Sequence, residues 1–118
     1  MRMMWIESAG ALVTFALGLL GLFRPLAAAV LVGIEPIGTL GISEVRATYG
    51  GLFTALGLCA LVSQSPVVFT VVGLGWTGIA AGRLLSVLVD RSFAPKNLGG
   101  LAMEAGLAAL LLVPHWLG

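Results

Sequence analysis

Apolar residues run through this chain in blocks near the ~20 residues that a helix needs to cross a hydrocarbon core. Pro25, Pro36, Pro66, Pro95 and Pro114 fall at or near the edges of those blocks, where a missing N–H does least harm. The blocks predict helices over about residues 4–23, 43–62, 66–89 and 97–115. Between the first two lies a broken stretch, 24–42. Its apolar piece, 26–34, is too short to span, and Glu35-Pro36, Gly38 and Gly41 interrupt the remainder. Irregular backbone at membrane depth must be covered by protein, so a short interfacial or re-entrant segment fits better than a fifth helix. The expected fold is all-α: a membrane-spanning four-helix bundle with that segment between helices 1 and 2. Residues 1–118 form a single integral membrane domain, with both termini on one face.

Local signals mark the helix starts. Ser43-Glu44 offers a capping hydroxyl and a first-turn carboxylate. Ser65-Pro66 repeats the pattern with proline at the first helical position, and Asn97 is placed to cap the last helix. Small residues then recur at helical steps. Glu7, Ala11, Thr14, Gly18 and Gly21 share one stripe of the first helix, and Ala47, Gly51 and Ala55 one of the second. Gly78, Gly82 and Ser86 do so in the third, and Ala102 and Gly106 in the fourth. Membrane helices use such faces for close backbone approach, so Gly50, Gly51, Gly57, Gly78, Gly82 and Gly106 are read as packing positions. Two readings stay open: tight packing within the chain, or one stripe serving as a homodimer seam.

Composition decides the solvent. The chain is 59% hydrophobic and 9% charged, with mean hydropathy +1.11, against about 25% charged in an ordinary soluble domain. Too few polar side chains exist to cover a soluble fold, so the lipid bilayer is the expected surrounding. Net charge is +1 with no run of Lys or Arg, which leaves no electrostatic footprint for nucleic acid. Met1-Arg2 is followed closely by Glu7, and the apolar run to Phe23 reads as a first membrane helix rather than a cleaved leader. Arg24, Arg46, Arg91 and Lys96 gather on the side of the first and third connections. The positive-inside tendency puts that side in the cytoplasm and both termini in the periplasm. Trp5 and Trp116 then sit at the termini side as interfacial anchors, and Glu7 is expected to be solvated there near Arg2 and His115.

Two charges interrupt the later blocks. Arg83 lies seven residues before Asp90, and Glu104 seven after Asn97. Antiparallel helices joined by the 90–97 turn hold them at similar depth, roughly 10 Å below the interface. A charge at bilayer depth costs ~2.5–3.5 kcal/mol even on lenient scales, so two of opposite sign are expected to pair. Arg46 enters from the same side with Glu44 beside it; Tyr49 shares its stripe, and Trp76 shares the face of Arg83. In one reading Arg83 and Glu104 form a structural ion pair while Arg46 reaches backbone carbonyls or lipid phosphate. In the other, Arg46, Arg83, Glu104, Tyr49, Trp76 and Glu44 line a small pocket for an anionic or amphipathic ligand.

Catalysis has little to work with. His115 and Cys59 are the only histidine and cysteine, so no metal cluster and no nucleophile–base arrangement can be drawn. Gly73-Leu74-Gly75-Trp76-Thr77-Gly78 mimics a nucleotide loop but lies inside an apolar helix with no preceding strand. No enzyme activity, metal or cofactor is expected.

The run Ser43-Glu44-Val45-Arg46-Ala47-Thr48-Tyr49-Gly50-Gly51, with Gly21-Leu22-Phe23-Arg24-Pro25 before it, resembles a family of small four-helix bacterial inner-membrane proteins known only as a domain of unknown function. The resemblance covers nearly the whole chain, with Arg46, Gly50, Gly51 and Pro25 on the motif. It implies a multi-pass protein of the bacterial inner membrane and no established activity. A looser likeness to DoxX-like four-helix proteins implies association with larger membrane redox systems. The leading functional expectation is an accessory or structural membrane subunit packing through Gly/Ala faces. The alternative is a small-molecule or lipid binder, or a minimal transporter, using the Arg/Glu site.

Overall fold

A computed structural model describes residues 4–117, with side chains for 4–114, and all its regular elements are helices. Arg2, His115 and Trp116 fall outside the described side chains. Helix α1 spans Trp5–Phe23, α2 Pro25–Val32, and α3 Gly38–Glu44. α3 runs through a π-helical segment, Val45–Leu52, into α4, Phe53–Ser63. α5 spans Pro66–Val89 and α6 Pro95–Leu117. Four helices are long and apolar enough to cross a membrane: Trp5–Phe23, the continuous Gly38–Ser63, Pro66–Val89 and Pro95–Pro114. The all-α class with four membrane spans is as expected. Large apolar side chains such as Ile37, Leu40, Val62, Val67 and Leu88 face outward, a surface that a bilayer accommodates and water does not.

The segment after α1 is a short helix. Pro25 brings no N–H, so α1 stops and α2 starts anew. Gly33 closes α2 at φ 80°, donating to the Val30 carbonyl at 3.2 Å while Ile34 donates to Ala29 at 2.9 Å. Ala28 and Ala29 pack with Val45 under Leu20 and Tyr49.

The starts of the later helices differ from their sequence signals. The second span begins at Gly38 rather than Ser43; Ile37 ahead of it is extended, and Gly38 takes φ +61°. Ser43 therefore lies inside a helix, and Glu44 accepts a hydrogen bond from Thr48 Oγ1 at 2.9 Å instead of serving a helix start. Ser65 precedes Pro66 as read, yet its side chain makes no capping bond. α6 begins at Pro95, which puts Asn97 inside its first turn.

The chain divides into two compact units, Ala11–Ser63 and Met1–Gly10 with Gln64–Gly118. In the first, backbones touch. A Cβ on Gly18 would lie 2.2 Å from Thr54 N, on Gly21 2.6 Å from Tyr49 C, on Gly50 2.7 Å from Leu22 N, and on Gly57 2.5 Å from Phe15 N. Along α1, Ala11, Thr14, Gly18 and Gly21 in this unit and Glu7 in the other are each buried. Glu7 is only 6% exposed, which corrects its expected solvated state: it sits on the helix face that packs. The Ala47–Gly51–Ala55 stripe does not pack within the chain. Ala47 and Ala55 face outward, and a Cβ on Gly51 would meet nothing closer than the Arg46 carbonyl at 3.8 Å. The inner positions are Val45, Gly50, Gly57 and Ala60. The step of five from Val45 to Gly50 follows the i→i+5 bonding of a π-helix, which rotates the inner face away from the α-helical period.

In the other unit α5 and α6 pack against one another. Phe69, Val72, Gly73, Trp76 and Val87 form the buried face of α5, and Glu104, Leu107, Ala108 and Leu111 that of α6. Gly78, Gly82 and Gly106, read as packing positions, stand exposed with nothing within 4 Å of an added Cβ. Larger side chains fill the inner face here, and helical spacing leaves these glycines on the outer one. Gln64 takes φ 47° and bridges Met4 N and Ser8 Oγ, each at 2.9 Å, fixing the start of α1 to the start of α5.

Candidate functional site

Helical spacing carries the inner face of α5 from Phe69 and Trp76 to Arg83, while the inner face of α6 begins at Glu104. The two side chains meet as a fork on a fork. Arg83 Nε donates to Glu104 Oε1 at 2.6 Å and Nη2 to Oε2 at 2.7 Å. The third arm, Nη1, donates to Asn97 Oδ1 at 2.8 Å. Asn97 in turn donates through Nδ2 to the Ser92 carbonyl at 3.0 Å and to Ser92 Oγ at 3.1 Å. Gly100 leaves room for the guanidinium; a Cβ there would lie 3.3 Å from Arg83 Cζ. The Glu104 side chain is 4% exposed and that of Arg83 25%. Both carboxylate oxygens are occupied by one planar cation, the geometry in which a charge pair at depth satisfies itself. Trp76, two turns earlier on α5, is buried.

Asn97 and Gly100 were absent from the sequence-based site. Asn97 read as a cap at the start of the last helix, expected at 97. Its hydrogen bonds instead tie the 90–97 turn to the ion pair.

The other sequence-predicted residues belong to the unit Ala11–Ser63. Arg46 is exposed on the π-helical segment, and its Nη1 donates to the Leu22 carbonyl. That carbonyl lies in the last turn of α1, where helical partners run out. Tyr49 is half-buried against the Ala28–Ala29–Val45 cluster, and its ring meets Phe53 edge-on, with centroids 6.0 Å apart and planes at 76°. Tyr49 is thus a packing residue on this side. Glu44 is exposed and engaged with Thr48. An open cleft of about 340 Å³ lies between residues 23–27 and the helix carrying Ile42 and Arg46. Arg24 shares that cleft, a residue that sequence reasoning did not place at a site.

A family model described as "Domain of unknown function (DUF4345)" matches residues 3–115. No curated protein and no solved structure matches the chain.

Proposed function

The chain belongs to the DUF4345 family, and from that premise we propose that this small membrane protein is an accessory or structural subunit without catalytic activity, docking a helix of another membrane protein. The observation that carries the reading is the outward face of α5, where Gly75, Gly78 and Gly82 meet nothing within 4 Å. Gly106 and Gly99 are equally open on α6. Exposed glycine at three- and four-residue spacing lets a second helix approach closely, and lipid gains nothing from it. The runner-up, a ligand or transport site at the buried Arg/Glu pair, is disfavoured because Glu104 already spends both oxygens on Arg83. The resemblance supports a bacterial inner membrane, and charge placement favours the first and third connections in the cytoplasm.

Native mass spectrometry from mild detergent tests this reading. Wild-type protein is expected to carry a bound membrane protein, either a second copy or another chain. A Gly78→Leu/Gly82→Leu variant should run as a free chain with unchanged helicity. A wild-type chain that emerges alone would sink the proposal.

A further inference from the structure

The structure points to a second site, independent of the subunit role: we propose that the cleft between Arg24 and Arg46 binds a phosphate group. Both arginines line it, and no carboxylate does. Neither makes an ion pair among the described residues. Arg46 spends one donor on the Leu22 carbonyl, which holds the guanidinium in place and leaves the rest of its fork for a ligand. Glu44, the nearest acid in sequence, does not line the cleft, and its Oε1 accepts from Thr48. Two cations at one cleft without a counter-charge match an oxyanion, and guanidinium pairs with phosphate through paired hydrogen bonds.

Depth supports the same ligand. The Leu22 carbonyl lies one residue before the end of α1, so Arg46 is level with the boundary of the first span. Residues 46–63 alone supply nearly the ~20 residues of a crossing, which puts Arg46 at the matching boundary of the second span. Arg24 follows α1 directly. Both guanidinium groups therefore occupy the level of lipid phosphates, and Phe23, Leu26 and Ile42 add apolar walls beside them. The phosphate can come from a phospholipid headgroup or from solution; the chemistry of the cleft is the same.

Thermal unfolding of the full chain in dodecyl maltoside separates these sources. One arm adds phosphatidylglycerol, with the chain-matched diacylglycerol as control. The other adds sodium phosphate, with sodium chloride at equal ionic strength. Stabilisation by phosphatidylglycerol but not diacylglycerol identifies a headgroup site, and stabilisation by inorganic phosphate beyond chloride identifies a free-phosphate site. In either case Arg24→Gln should weaken the apparent affinity by about tenfold, the loss of one charge-assisted contact. Arg46→Gln also loses its bond to Leu22 and risks the fold, so Arg24→Gln, whose side chain holds no other element in place, is the deciding variant. No stabilisation in either arm, or equal stabilisation of wild type and Arg24→Gln, overturns the proposal.

Discussion

Arg83 and Glu104 illustrate how a charge becomes tolerable in an apolar chain. Removing one partner strands the other. Arg83→Leu should destabilise the protein by about 3–5 kcal/mol, because the buried Glu104 carboxyl loses its bidentate partner. The double variant Arg83→Leu/Glu104→Met should recover most of that loss, since paired removal leaves no orphan. Unfolding by denaturing detergent, followed through helicity, measures both. Asn97→Ala should cost about 1.5–3 kcal/mol, the range for a hydrogen bond to a charged group. The pair itself was legible because both residues stand seven positions from the ends of one turn, and antiparallel helices convert equal sequence distance into equal depth. Asn97 was not legible, because whether its amide caps a helix or braces an arginine depends on where α6 begins. Proline at position 95 moved that start by two residues. Arg24 was likewise hidden: nothing local tells that its cleft-mate lies beyond a short helix and a glycine turn.

At the scale of elements, glycine plays two parts that sequence spacing alone does not separate. In α1 and α4, Gly18 and Gly57 are crossing points where another backbone occupies the space of a side chain. Gly18→Ala and Gly57→Ala should each cost about 1–3 kcal/mol, as overpacking does. Gly82→Ala should cost the partner-free chain nothing measurable, because an added Cβ there meets open space within the chain. Thermal melts of the three variants in one detergent check the contrast. The α1 stripe was readable since α1 is a regular helix and its small residues keep period. The second span was readable only in part. Gly50 and Gly57, read as packing positions, do lie inside, but the π-helical segment over Val45–Leu52 advances the inner face by five residues and turns the evenly spaced Ala47–Gly51–Ala55 stripe away from it. In α5 the same count found real glycines on a real stripe, but Phe69 and Trp76 claim the inner face and leave that stripe outside.

On the scale of the molecule, membrane residence follows from composition, and it fixes where expensive groups can go. The acid at depth is closed by a bidentate cation, while Arg24 and Arg46 stay at the boundary of the spans. Two surfaces are proposed for other molecules, the boundary cleft and the open glycine face of α5. We propose that the protein works through that face and that the Arg83–Glu104 pair only holds the fold. Native mass spectrometry of the Arg83→Leu/Glu104→Met variant beside Gly78→Leu/Gly82→Leu decides this. The variant lacking the pair should keep its bound partner while the leucine variant loses it. Loss of the partner from a folded pair-deleted variant, with retention in the leucine variant, would overturn it.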